Sequence, residues 1–539
     1  MPEPASPSPD LALGAFSDHG PWVVEPDRLA WRGGVDVVRA RTAASVPRLL
    51  RPGRLPPLRR LARVLRAIGP AVGLWYLRER GKPESRARIS ERLRRSFEGL
   101  GSTYVKLGQI ISGGEGLFPP ELVAEFRLLR DHVPAESFAD VRAVVEHDLG
   151  RPLSALFAWF DEQPLAAASV AQVHAARLTT GEEVVVKVQR PRVEALVRAD
   201  IAGMAWLAPK LVGRIPIAAL ANPPALVELF AETIVEELDF RLEAENMLDI
   251  ARVLAETDQR TMVVPRPHPT LVTRRVLVME RLRGFAFDDV ESMKAAGIDT
   301  SALLRSGLIA CLEGAMLYGV FHGDLHGGNL FVQADGRTVL LDFGITGRLD
   351  EPQRLAFLRL LVAGTAGDVR GQLAALRDLG AFPRDTDLDA VVADLGLDGP
   401  VKDPTLMSAD ELVAELSDLT KKLLGYGARA PKELMLFVKN LMFLNAATAT
   451  LAPDVDILGE VANIYAYFTE HHGDRIVRDI GIDPTRAALD LDAVKAGFGL
   501  SPDIERLTFR DLQARRQTIL RRMQERPRGR ARRRGPHES

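Results

Sequence analysis

The sequence predicts an α+β fold, and three observations predict it. LAAASVAQVHAARLTTGEEVVVKVQRP reads as two alternating apolar strands about the turn Thr179-Thr180-Gly181. NLFVQADGRTVLLDF reads as a second hairpin, turning at Ala334-Asp335-Gly336. Apolar or amphipathic helical stretches precede, separate and follow these hairpins. At 539 residues the chain exceeds the size of one hydrophobic core, so more than one compact region is expected.

In chain order, MPEPASPSPDLALGAF is acidic and proline-rich where a signal peptide needs a basic end and an apolar run, so an unordered leader is expected over 1–50. RLPPLRRLARVLRAIGPAVGLWYLRERG follows, with Arg59, Arg60, Arg63 and Arg66 interleaved with apolar residues. It fits a helix on a membrane surface or an arginine-rich helix packed on the protein. Residues 84–100 continue as a charged helix into TYVKLGQIIS, and helical patterning runs to Gly150. The strand-rich block covers about Pro164 to Val188, helical and strand segments alternate up to Asp342, and helices dominate beyond it. ALLRSGLIACLEGAMLYGVF and ELMLFVKNLMFLNAATATLA are the most apolar helices, yet Arg305, Glu313, Lys439, Asn440 and Asn445 interrupt them, so both read as buried core. The basic end RRMQERPRGRARRRGPHES reads as a solvated tail.

Composition narrows the function. With 70 basic against 72 acidic residues, the net charge of -2 argues against general nucleic-acid binding. The single cysteine, Cys311, excludes an intrachain disulfide and fits a reduced cytoplasmic setting.

The chemistry concentrates in FHGDLHGGNLFV and VLLDFG. An acidic residue, an Asn five positions later and an Asp-Phe-Gly after the next strand form the constellation with which kinases hold magnesium and orient a phosphate acceptor. Asn329 and Asp342 are the metal-ligand candidates, because phosphoryl transfer needs hard oxygen ligands near the nucleotide. Asp324 would accept or orient the proton of the attacking hydroxyl or water, and His322 would brace the loop backbone. Upstream, Lys187 at the end of its strand would meet the α and β phosphates beneath the small-residue loop Ala166, Ala167, Ala168 and Ser169. Its carboxylate partner lies in IVEELDFRLEAENM, where Glu236, Glu237, Asp239, Glu243 and Glu245 compete and Glu237 is the first choice. In RRVLVMERLRG the backbone from Glu280 to Leu282 would face the adenine edge.

Four marks together resemble the UbiB/AarF (ADCK-type) family of atypical protein-kinase-like proteins: VKLGQ with Lys106 and Gln109, AAASVAQVH, ELDFRLEAEN, and HGDLHGGN with LLDFG. The resemblance covers about residues 85 to 350. It implies a bilobal protein-kinase-like fold with a helical N-terminal extension carrying the KxGQ motif and additional C-terminal helices. The corresponding division is a leader over 1–50, the extension over 51–160, a small lobe over 161–285, a large lobe over 286–475, and helices with the tail over 476–539.

The resemblance also implies ATP and Mg2+ as cofactors and an ATPase or kinase-like activity supporting isoprenoid-quinone (ubiquinone) or related lipid metabolism. Quinone-biosynthesis proteins and a membrane surface or lipid are the implied partners, with a cytoplasmic, peripheral location. Lys106 and Gln109 would belong to a lid, Lys187 and Glu237 would form the lysine-glutamate pair, and Glu243 would partner Lys106. In place of the usual Arg and Asp after KxGQ, this chain has Gly114 and Gly116 around Glu115, so the lid is expected to be held differently. Two alternatives stay open: a small-molecule phosphotransferase of the aminoglycoside or choline kind, and a nucleotide-binding pseudokinase scaffold.

Overall fold

The computed structural model describes residues 10–11, 15–51, 57–80, 82, 84–112, 118–129, 134–211, 223–397, 407, 411, 418–419, 422–423, 425–429, 431–482, 489–497, 500–501 and 503–524. The departure at Gly114, Glu115 and Gly116 and the basic tail from 525 onward lie outside them. The chain divides into two compact units: Met1–Asp299 with Val320–Arg348 and Met435–Phe443, and Thr300–Gly319 with Leu349–Leu434 and Leu444–Ser539.

The first unit is built on an antiparallel sheet in the order Phe157–Phe160, Ala171–Leu178, Glu183–Gln189, Val276–Glu280, Pro267–Val272. Val173 and Leu277 flank Lys187 in register, so the lysine sits on a central strand, two residues inside its end. Val184, Val186 and Val188 alternate onto the opposite face and close a core with Val141, Val144 and Val145 of the helix Phe138–Leu149. That alternation is what a half-buried strand requires. A smaller sheet joins Met262–Val263, Thr338–Leu340, Leu330–Val332 and Phe285–Ala286. Its hairpin pairs Leu330 with Leu340 and turns through Gly336 at φ +87°, a backbone region that glycine enters without a Cβ clash.

The helical extension is part of this unit's core. Phe97, Leu100, Val105, Leu107 and Phe126 pack with Val197 and Ile201 of the helix Val193–Leu211 and with Phe230 and Ile234 of the helix Pro223–Glu236. Arg60 turns inward, where its guanidinium binds the fully buried Asp200 and its Nη2 donates to the carbonyl of Leu100 at 3.4 Å. One of the four arginines in the amphipathic stretch therefore serves packing.

The expectation of an unordered leader over 1–50 needs correction from residue 15 onward. Val35–Leu49 is a helix, and Phe16, Val24 and Trp31 are buried. The indole N–H groups of Trp22 and Trp31 donate to the carbonyls of Pro267 and His268, both at 3.1 Å, while the amide of Val264 donates to the carbonyl of Ala15 at 2.7 Å. These contacts fasten the leader along the edge strand Pro267–Val272. Tertiary partners order it where periodicity is absent.

The second unit, among the described residues, is helical. In Thr300–Glu313 and the π-helical turn Gly314–Tyr318, Glu313 is fully buried and accepts from the Tyr467 hydroxyl at 2.8 Å. His472 Nε2 lies 2.7 Å from the same oxygen. Arg354 is held by Glu351 and Asp479 at 2.7 and 2.8 Å and donates to the Met316 carbonyl at 2.9 Å. Thr300–Tyr318 and Lys432–Leu451 are long and apolar enough to cross a membrane by length and composition. In the second of these, Asn440 is completely enclosed by protein.

Candidate active site

The site lies within the first unit, where three hairpin and loop segments meet two helix starts. Val320–His322 leads into the loop of Asp324 and pairs antiparallel with Thr346–Arg348. His322 accepts the amide of Asp324 on Nδ1 at 3.1 Å and donates from Nε2 to the Leu341 carbonyl at 3.0 Å. Burial holds it below its usual pKa, which suits a neutral ring that both accepts and donates. It braces the loop.

Asn329 and Asp342 stand at the two ends of the second hairpin, and the amide of Leu341 donates to the Asn329 carbonyl at 2.9 Å. The side-chain amide nitrogen of Asn329 donates to the Asp324 carbonyl at 3.0 Å, so the side-chain oxygen takes no part in that bond. Asp342 has φ +53°, an unusual backbone state for a residue with a Cβ, and such strain concentrates at functional positions.

The pairing of charges differs from the sequence expectation. Lys187 Nζ lies 2.7 Å from Glu243 and 3.1 Å from Asp342, whereas Lys106 Nζ lies 2.9 Å from Glu237 and 3.7 Å from Asp324. The expected partners are exchanged. The acidic segment is not one helix: Pro223–Glu236 stops just before Glu237, Asp239 caps the next helix, and Glu243 falls in the first turn of Phe240–Glu256. Glu237 therefore sits in the connection that faces the KxGQ helix Ser102–Ser112, while Glu243 projects from a separate axis under the sheet lysine. The Lys106–Glu237 contact is close in distance without hydrogen-bond alignment, so Glu237 Oε1 remains a buried oxygen lacking a hydrogen bond.

One participant escaped the sequence reading. Lys439, from the helix Lys432–Leu451, binds the Asp324 carboxylate, and its neighbour Asn440 accepts the Leu325 amide at 3.2 Å while donating to the His322 carbonyl. The two polar interruptions of an apolar helix were the available signal. They point at the loop.

Electrostatics follow from this enclosure. Burial pushes Asp324 toward its neutral form, but the ammonium groups of Lys439 and Lys106 outweigh it and hold its pKa far below the carboxylate range. Asp342, opposed by burial and drawn down by Lys187 and Lys106, falls to about 2. Burial lowers Lys106 and Lys187, yet the facing carboxylates raise both above the usual lysine value. Glu243 is pushed up to about 7 by burial and by Asp342, against the pull of Lys187. Fully ionised, three ammoniums face four carboxylates, a surplus of one negative charge.

The remaining positions have plainer surroundings. Ala166 and Ala167 pair with Val173 and Gln172, the Ala168 amide donates to the Ala171 carbonyl at 2.8 Å, and Ser169 is buried. The Ala168 N–H is thus spent within the turn rather than offered to a phosphate. Arg190 Nε donates to the Ala168 carbonyl at 3.0 Å and its Nη1 meets Glu136 at 2.9 Å, latching the loop. Gln109 lies one turn beyond Lys106 on the same helix. Glu280 closes its strand with its carboxylate bound by Ser17 and Arg266, so only backbone there can meet a base, and Leu282 is half-buried two residues on.

A family model described as the ABC1 atypical kinase-like domain matches residues 128–375. An uncharacterised protein of Mycobacterium tuberculosis is 34% identical over 409 residues, covering 71% of this chain and 80% of that protein. An aarF domain-containing protein kinase of Arabidopsis thaliana, described as chloroplastic and uncharacterised, is 34% identical over 394 residues, covering 68% and 72%. The probable protein kinase UbiB of Marinobacter nauticus is 31% identical over 386 residues, covering 70% and 69%. The chain belongs to the UbiB/AarF family of ABC1 atypical kinase-like proteins. Its fold is accordingly the α+β kinase-like one, and its matched domain is of the atypical kinase-like kind. A solved structure, the complex of Rv3197 with erythromycin from Mycobacterium tuberculosis, is 20% identical with a TM-score of 0.37, covering 64% of this chain and 91% of that one. The family match opens at residue 128, so the helix carrying Lys106 and Gln109 lies before it, and Lys439 lies after it.

Proposed function

We propose that this UbiB/AarF protein binds Mg-ATP at the site of Asp324, Asn329 and Asp342 and hydrolyses it or transfers its γ-phosphoryl group in support of isoprenoid-quinone or related lipid metabolism. The observation that carries the reading is the convergence of that triad with the Lys187–Glu243 pair on one enclosed, charge-dense loop system. Among the described residues no three His, Cys, Asp or Glu side chains form a protein-only metal cluster. Magnesium bound through phosphates needs only one or two protein oxygens, and the Asn329 oxygen and the Asp342 carboxylate meet that need. Gly344 fits the same demand: a Cβ there would come within 3.1 Å of Asp342 Oδ1 and 3.3 Å of Glu237 Cγ.

When bound, the metal would neutralise charge on the transferring phosphoryl group. Lys187, fixed by Glu243, would bind the α and β phosphates. Asp324, kept ionised by Lys439 and Lys106, would orient the attacking hydroxyl or water more than it would take up the proton. Lys106, with only 12% of its side chain exposed, covers Asp324, which favours this reading over a phosphotransferase with an open acceptor cleft.

Thermal denaturation with Mg-ATP tests the binding claim. The wild type is stabilised and Asp342→Asn is not; no shift in the wild type, or an equal shift in both, overturns it. Phosphate release from Mg-ATP distinguishes turnover from a nucleotide-binding scaffold.

A further inference from the structure

Glu280 ends the strand Val276–Glu280, and the backbone from Glu280 to Leu282 is where the adenine edge is expected. Its carboxylate is buried and has partners from two other segments. The Ser17 hydroxyl donates to one oxygen, and the Arg266 amide donates to the other at 3.3 Å. Arg266 Nη1 lies 3.5 Å from that second oxygen, and the Glu280 amide donates to the Arg266 carbonyl at 2.9 Å.

The leader encloses this buried arginine. Nη2 donates to the Asp10 carboxylate and to the Ser17 carbonyl, both at 2.7 Å, while Nη1 donates to the Ser17 hydroxyl at 2.6 Å. The Phe16 ring centre lies 5.2 Å from the guanidinium carbon, and a Cβ on Gly20 would overlap the guanidinium itself. Asp10 is steadied in turn by the Val24 amide at 3.0 Å. Without the leader, the guanidinium would keep only its 3.5 Å contact with Glu280, which is too long to be a strong hydrogen bond. A buried ionic network adds little stability over apolar packing of the same volume, and its best use is to hold one arrangement of the backbone it joins. The backbone joined here is the start of the base-binding segment.

We propose that Asp10, Ser17 and Arg266 are positioning residues for the nucleotide base: the leader fixes the Glu280 side chain and so sets the main chain of Glu280 to Leu282 against the adenine edge. The proposal rests on the Mg-ATP reading, which supplies the base. Hydrogen bonds to a base edge are lost over less than about 1 Å, and a segment already fixed gives up little further freedom when the nucleotide binds. Among the described residues, none of the three hydrogen-bonds to Lys187, Asp324, Asn329 or Asp342. Their effect therefore falls on the base and spares the phosphates.

Calorimetric titration of the full chain with Mg-ATP, and with Mg-tripolyphosphate, which lacks base and ribose, tests this. Ser17→Ala and Asp10→Asn each weaken Mg-ATP binding about fivefold, the effect of one lost hydrogen bond, and leave tripolyphosphate binding at the wild-type value. Ser17→Thr keeps the hydroxyl and restores Mg-ATP affinity. Asp18→Asn breaks only the Asp18–Arg337 pair, where Asp18 is 58% exposed, and leaves both affinities unchanged. Mg-ATP affinity unchanged in both variants, an equal loss for both ligands, or a loss that Ser17→Thr does not restore overturns the proposal while leaving the Mg-ATP reading intact. A wild type that binds no Mg-ATP overturns both.

Discussion

Asp324 is gripped from two sides, by Lys439 and by Lys106, and the two grips have different consequences. Lys439→Ala leaves the mostly buried carboxylate with Lys106 alone. Discounted for the partial exposure of Lys439, a stability loss of about 1–2 kcal/mol is expected by urea denaturation, together with reduced phosphate release, and Lys439→Arg restores much of both. The exchanged pairs separate as well. Glu243→Gln strands the Lys187 ammonium on Asp342 and costs about 2 kcal/mol, with weaker Mg-ATP binding, whereas Glu237→Gln leaves Lys106 near Asp324 and spares nucleotide affinity. Calorimetric titration of the two variants gives the opposite ranking if Glu237 were the partner of Lys187. His268 supplies a pH effect. Its ring lies 4.8 Å from Trp22 and accepts the amides of Thr270 and Leu271, and burial pushes it down to about 4 from 6.5. The folded state therefore excludes a proton that the unfolded chain takes up. Stability is full above pH 6.5 and is lost as pH falls through 4, and melting curves of His268→Gln show a shallower slope over that interval.

At the scale of elements, the leader is the clearest case of structure decided by distant partners. Trp31 is buried against the edge strand and hydrogen-bonded to His268, so Trp31→Ala is expected to cost about 3 kcal/mol, read from the urea midpoint. Nothing in the leader's proline-spaced sequence announces this, because its apolar residues follow neither a helical nor a strand period and gain order only from the sheet edge. The two hairpins were legible for the opposite reason: alternation and turn chemistry are local, and they fixed Lys187, Asn329 and Asp342 in place. Glu237 and Glu243 fall between these cases. Their residue types were readable, but the helix break at Leu238 that sends them to different lysines depends on Asp239 capping a new axis. Lys439 is more than a hundred residues from Asp324, and a lysine within an apolar helix gives its position without its partner.

Across the first unit, long-range ion pairs tie the helical extension to the helices behind the sheet. Arg60→Ala leaves Asp200 fully buried without its guanidinium and is expected to cost about 3–5 kcal/mol. Arg60→Ala combined with Asp200→Ala recovers most of that loss in the same unfolding measurement, because the penalty is a stranded charge and not lost contact area. The brace at residue 440 has a consequence for the order in which the protein comes into being. Asn440 holds the backbone on both sides of Asp324, yet it is made more than a hundred residues after that loop. During synthesis the Asp324 loop emerges with its local brace, His322, and gains the Asn440 brace only once the ribosome has passed residue 440. A product ending at residue 375, where the family match stops, would contain Lys187, Asp324, Asn329 and Asp342 and lack the contacts of Lys439 and Asn440 with the loop.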